Sequence, residues 1–357
     1  MTEKTTPIQQ ILLRFQHNST EYREDLSSIV LTPNNNLWLA SDETASIERL
    51  SGDEPGKFDT HQTFKLADFI KLPGDPDEEI DIEGLDYEDR YLWLIGSHSV
   101  RRDKPKDKLT YAENLSNLAT LKQSDNRYLL ARIPLVGDQL FSECPHPENP
   151  DVKLTAATLK TTKKGNLLTE ALTDDPHIGP FLSMNLPAKE NGFDIEGLAV
   201  YKDKIFLGLR GPVLRGWAIL IELSVKEKNA TTLRLRKQGD GDKRYKKYFV
   251  DLNGLGIREL CVDGKDLLIL AGPTMDLDGP VKLYRLENGV DLPESTLLKP
   301  KPILDIPFGK GEDHAEGITF FSREENHKSL LVVYDSPAKE RLQGEDAILA
   351  DVFSLQN

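Results

Sequence analysis

The sequence predicts an all-β fold, a β-propeller, and three observations carry that expectation. A five-residue motif recurs along the chain. Each copy is followed by a short turn and a second apolar run of strand length. Third runs of the same kind follow several of these pairs. Short β-rich runs separated by turns and repeated every ~40–60 residues are the signature of four-stranded propeller blades.

The motif is clearest in Asp81-Ile82-Glu83-Gly84-Leu85 and Asp194-Ile195-Glu196-Gly197-Leu198. His314-Ala315-Glu316-Gly317-Ile318 is a weaker copy, and Asp25-Leu26-Ser27-Ser28-Ile29 and Gly256-Ile257-Arg258-Glu259-Leu260 are degenerate ones. The second runs are Leu37–Ala40, Leu92–Ile95, Ile205–Gly208, Leu267–Leu270 and Leu330–Val333. Third runs include Tyr128–Ile133, Ala218–Leu223 and Val281–Leu286.

Five motif copies predict five blades. The double gap of 113 residues between the second and third copies could hide a sixth. Within that gap Leu115, Leu118 and Leu121, and again Leu167, Leu168 and Leu172, have helical spacing. Helical insertions in the second blade are therefore expected. The last copy leaves room for three strands only. The N-terminal run at residues 8–15 has no blade of its own and can supply the missing outer strand, closing one domain over residues 1–357 and removing two open edges.

Composition narrows the function. The 357 residues are 38% hydrophobic and 29% charged, with a formal net charge of −14. A field of that sign repels phosphate backbones and anionic lipid, so no nucleic-acid or membrane partner is expected. No apolar run reaches the ~20 residues of a membrane span, and the N-terminus lacks a signal-peptide pattern. A cytoplasmic location is the expectation. The cysteines, Cys144 and Cys261, are too few for a disulfide framework.

In a propeller, the starts of the inner strands and the loops after the second strands share one face. The third motif position then forms a ring of Ser27, Glu83, Glu196, Arg258 and Glu316. Three carboxylates crowded with one guanidinium call for a counter-charge, and a hard divalent cation such as Ca²⁺ on Ser27, Glu83, Glu196 and Glu316 would supply it. The plain alternative gives these side chains to backbone groups of the next blade. Arg210 and Arg215, in Gly208–Trp217, could grip an anion together with Arg101 and Arg258. His98 and His314 are candidate acid–base residues.

The runs Glu190–Ala199 (ENGFDIEGLA) and Gly208–Trp217 (GLRGPVLRGW) resemble a bacterial propeller family of unknown function, over roughly residues 20–340. The resemblance implies the fold and no activity. More distantly, the Ser-Glu-Glu-x-Glu ring is similar to that of the calcium-activated nucleotidases (apyrases), five-bladed propellers with a central calcium. Ser27, Glu83, Glu196 and Glu316 match that pattern and Arg258 departs from it. The Asp-hydrophobic-Glu-Gly motif also resembles the esterase-like phytases. Together these readings set a metal-dependent hydrolase of a small anionic, phosphoester-like substrate against a non-catalytic binding propeller.

Overall fold

A computed structural model describes residues 5–16, 20–238, 242–293, 296–322 and 327–355. It is an all-β propeller. The motif segments form the innermost strands of successive sheets: Leu26–Leu31, Ile82–Glu88, Asp194–Tyr201, Gly256–Asp263 and His314–Ser322. These strands lie beside one another in chain order, and the last returns to the first.

Four of the sheets contain a regular four-stranded antiparallel blade, two of them with further short strands. Leu26–Leu31 leads the first, Asp194–Tyr201 the second of these, and Gly256–Asp263 the third. The fourth is led by His314–Ser322. Its outer strand is the N-terminal segment Gln9–Arg14, paired antiparallel with Ala347–Ser354 from Gln9↔Val352 to Arg14↔Ala347.

The expectation of five regular blades is corrected here. The sheet led by Ile82–Glu88 is a three-stranded meander whose next strand, Ala157–Leu159, pairs with the third at only two positions. The long insertion explains the departure. It sends the chain through the helix Tyr111–Ala119 between the second and third strands. Beyond the third strand come the hairpins at 143–155 and 161–166 and the helices Leu167–Leu172 and Gly179–Met184. Thr232–Leu235 then adds to this sheet in parallel from a distant part of the chain.

Burial of alternate faces builds the core. Trp38, Ile47 and Phe64 pack against Ile82, Leu92 and Ile133 across one sheet–sheet interface. Ile11, Leu13 and Leu331 pack against Ile29, Leu37 and Leu39 across another. The motif glycine permits this closeness. A Cβ at Gly84 would lie 2.5 Å from Leu198 Cβ, and one at Gly317 would lie 2.7 Å from Val333 Cγ2 and 3.1 Å from Ile29 N. The side-chain-free position lets inner strands approach one another.

One departure from the motif is structural. Where three copies have Gly at the fourth position, the fourth copy has Glu259. Its buried carboxylate accepts hydrogen bonds from the Ser28 hydroxyl (2.7 Å), Leu198 N (3.1 Å) and its neighbour Leu260 N (2.9 Å). It ties three inner strands together. Burial pushes its carboxyl well above the usual range, against the lowering effect of those bonds.

The pH dependence follows from that direction. The folded state holds the Glu259 proton to higher pH than the unfolded chain does, so this group favours folding less as pH rises above about 4.3. Glu259→Gln keeps two acceptor bonds and can donate to Ser28, and it carries no charge. Its melting temperature should match the parent's near pH 4 and exceed it at pH 8. A variant less stable than the parent at pH 8 would contradict the assignment.

Candidate functional site

Every inner strand carries a β-bulge at the third motif position. The register to the second strand skips Ser27, Glu83, Glu196, Arg258 and Glu316 in turn. A bulge re-aims the extra residue out of the regular alternation. Here it turns these side chains toward the axis. Glu83, Glu196 and Glu316 line one cavity of about 480 Å³. Arg258, Glu316 and His314 line an adjoining one of about 390 Å³ that shares Arg210 and Lys189 with it. The two form one funnel.

Arginines occupy most of the ring. Arg210 Nη1 lies 2.6 Å from Glu196 Oε1, and its Nη2 lies 2.6 Å from Asp194 Oδ2. Arg258 Nη1 lies 2.6 Å from Glu316 and 3.2 Å from Glu196, and its Nη2 donates to the Pro273 carbonyl at 3.0 Å. Arg127 Nη1 lies 2.7 Å from Asp81 and donates to Ser99 Oγ at 3.0 Å. Alternating charges so close in a buried site hold one another in register.

Glu83 is the exception. Among the described residues its carboxyl forms no hydrogen bond or ion pair. Burial, then the carboxylates of Asp81, Glu196 and Glu316, push it well above the usual range. Asp42, on the loop after the first blade's second strand, is in the same state: its Oδ1 is buried without a partner among the described residues, and burial and Asp81 raise its carboxyl strongly. Burial brings Asp194 up to about 7, against Arg210. Burial and Asp335 bring Glu316 up to about 8, against Arg258.

The structure gathers some of the expected site residues and disperses others. Arg101 lines the funnel and pairs with Glu79 at 3.2 Å. His314 lies at its edge, 3.8 Å from Asp335 and 3.7 Å from Asp278, and the Asp335 carboxylate beside it raises its pKa. Arg210 and Arg258 reach the axis, but as counter-ions of glutamates rather than as free anion grips.

His98 is not at the funnel. It lines a separate cavity of about 620 Å³. Its Nδ1 faces the Gly96 carbonyl at 2.7 Å and its Nε2 faces Asn166 Nδ2 at 2.7 Å. Asn166 spends its Oδ1 on Leu168 N and Thr169 N, so its amide donates to the imidazole. Burial lowers His98 to about 4, leaving a neutral ring with both nitrogens used. Arg215 is exposed in the turn between Leu214 and Trp217, outside the funnel.

The oxygen set read as a calcium site does not gather as free ligands. The Ser27 hydroxyl donates to the Ile82 carbonyl at 2.5 Å, and Glu196 and Glu316 each face an arginine. Among the described residues, no group of three or more His, Cys, Asp or Glu is placed to hold a metal ion.

Sequence reasoning missed Arg127, Lys189 and Glu259. Arg127 sits in a short 3-10 turn, Asp125–Tyr128, outside the repeat. Lys189 belongs to the insertion. Glu259 carried a signal, since it replaces the motif glycine.

A bulged-strand funnel at the axis of a propeller defines the class: an all-β propeller with a polar axial cavity. The chain belongs to the family described as "Protein of unknown function (DUF3616)", whose model matches residues 25–351. No curated protein matches the sequence. Among solved structures, the PQQ-bound aldose sugar dehydrogenase of Streptomyces coelicolor is 11% identical, with 98% of this chain and 100% of that one covered and a TM-score of 0.36. A virginiamycin B lyase from Staphylococcus aureus is 8% identical, with 98% and 89% covered and a TM-score of 0.36. An exo-1,5-α-L-arabinanase from a bovine ruminal metagenomic library is 10% identical, with 96% of each chain covered and a TM-score of 0.41. Likenesses this distant bring no activity to the chain. No helix among the described residues is long and apolar enough to cross a membrane.

Proposed function

We propose that this protein is a small-molecule-binding propeller whose ligand sits in the axial funnel against Glu83. The sheet led by Ile82–Glu88 is read as a fifth, remodelled blade, its insertion building one wall of the funnel. The observation that carries the reading is the Glu83 carboxyl itself. It lines a cavity of ligand size and, among the described residues, has no partner, while its ring neighbours Glu196 and Glu316 each have an arginine. A half-buried carboxyl that faces a cavity without a protein partner leaves acceptor sites that a bound donor can use. A concave polar site with strongly shifted carboxyls is where a ligand is expected.

The same carboxyl supports a second reading, hydrolysis of a small anionic molecule. A carboxyl whose pKa is raised by burial can hold a proton for donation to a leaving group. The tied-up state of Arg210, Arg258 and His98 favours binding without turnover over this alternative.

Ligand-observed NMR with a panel of small polar molecules tests the reading. Binders of the parent protein should lose contact in Glu83→Gln, which keeps shape and removes the titrating group. Binders retained equally by Glu83→Gln would overturn it. Calcium belongs in the panel: chelator-sensitive stability lost in Glu83→Gln would place the ligand as a metal.

A further inference from the structure

We propose that the ligand of the axial funnel is a small zwitterion, seated with an ammonium group between Glu83 and Asp42 and an anionic group toward Lys189. This rests on the funnel being the binding site and adds the chemical class of its occupant.

The funnel carries charges that its own side chains leave without a counterpart. Asp81, Asp194, Glu196 and Glu316 each have an arginine partner. Glu83 and Asp42 line the same cavity and have none among the described residues. Asp42, outside the motif ring, brings a second carboxyl to the lining of that cavity, and its Oδ1 is buried without a partner among the described residues. An ammonium group is a compact cation with three N–H donors, so it can serve two carboxyls at once. A cation bound there favours the ionised form of each carboxyl it reaches.

The lining of the funnel also carries the opposite charge. Lys189 is exposed and lines both halves of the funnel, without an ion pair among the described residues. Lys106 lines the same cavity and is also exposed. Other cations of this wall are committed: Arg102 to Glu190 and Lys104 to Asp276. The funnel therefore carries both carboxyls and amines that have no ion pair among the described residues. A ligand with charge of one sign satisfies one set only. Carboxylate and phosphate serve Lys189 equally, so the anionic group is either.

Thermal unfolding of the full chain with defined probes distinguishes these cases. The probes are L-serine and phosphoethanolamine as zwitterions, glycolate and ethyl phosphate as amine-free anions, ethylamine as an amine alone, and calcium chloride. A zwitterion at about a hundredfold excess over its Kd should raise the melting temperature by about 3–5 °C. Glu83→Gln should weaken its binding at least about tenfold. Lys189→Ala should bring the zwitterion down to the affinity of ethylamine. Serine alone, or phosphoethanolamine alone, identifies the anionic group.

A shift by glycolate or ethyl phosphate equal to that of the zwitterions, and lost in Glu83→Gln, would overturn the ammonium assignment while leaving the funnel as the site. A shift by calcium alone would do the same. Zwitterion binding indifferent to Glu83→Gln would overturn both.

Discussion

Removing residues 1–15 should leave no cooperatively folded protein at 25 °C. The strand Gln9–Arg14 supplies the outer strand of its sheet along six paired positions. Ile11, Leu13 and Phe15 are fully buried between the last and first sheets. Burial of each such side chain stabilises by about 1.5–3 kcal/mol, against a total of about 5–15 kcal/mol for a folded protein. The truncation also uncovers the edge of Ala347–Ser354, which would invite aggregation. Near-ultraviolet circular dichroism and size-exclusion chromatography read the result. Leu13→Ala is the milder form, with an expected loss of about 2–5 kcal/mol by urea unfolding. A soluble truncated chain with the parent melting temperature would contradict the role of this strand.

The second large effect lies at the axis. Arg210→Ala should cost about 3–5 kcal/mol at pH 8, because it leaves Asp194 and Glu196 buried beside each other without their shared cation. Their side chains are 1% and 4% exposed, so water cannot replace the guanidinium. The deficit should shrink at pH 5. Asp194 sits at about 7 even with Arg210 present, since burial already outweighs the arginine, and protonation removes the charge that the variant strands. Arg210→Lys keeps the charge and cannot reach both carboxylates in a fork, so an intermediate loss is expected. Urea unfolding at the two pH values checks this. A cost under about 1 kcal/mol at pH 8 would show that the ring does not depend on Arg210.

The parts of this architecture that were legible in the sequence are those that repeat. The inner strands could be found because each must solve the same packing problem, with an apolar residue, a polar residue and a small residue in fixed order. The ring of third positions followed from that register. Its cause, a bulge in every inner strand, leaves no separate trace, because a bulge is a pairing property of two strands rather than of one. Arg127 was illegible for a related reason. It reaches Asp81 from a short turn before a third strand, and no repeat marks that place.

The irregular sheet shows the limit from the other side. Leu115, Leu118 and Leu121 gave the helical spacing of the insertion, and Tyr111–Ala119 is helical. Those leucines are nonetheless largely exposed, so the spacing did not mark a buried face. How the insertion remodels the outer strands depends on contacts between distant segments, such as Ala157–Leu159 with Thr232–Leu235, which no local pattern encodes. His98 was expected on the funnel face and lies in a separate cavity, because a histidine after a strand end looks the same in sequence whether its nitrogens are free or used. Only Asn166, distant in sequence, decides that here.

Glu83 faces the funnel without a partner among the described residues, and its burial favours the protonated form. Infrared difference spectroscopy of the parent protein against Glu83→Gln at pH 7 tests it most directly. The account predicts a protonated-carboxyl C=O band in the parent that is absent from the variant and fades when a cationic or zwitterionic ligand binds. A parent spectrum that instead loses carboxylate bands on substitution, with no protonated band removed, would show Glu83 ionised and paired, and would contradict the account.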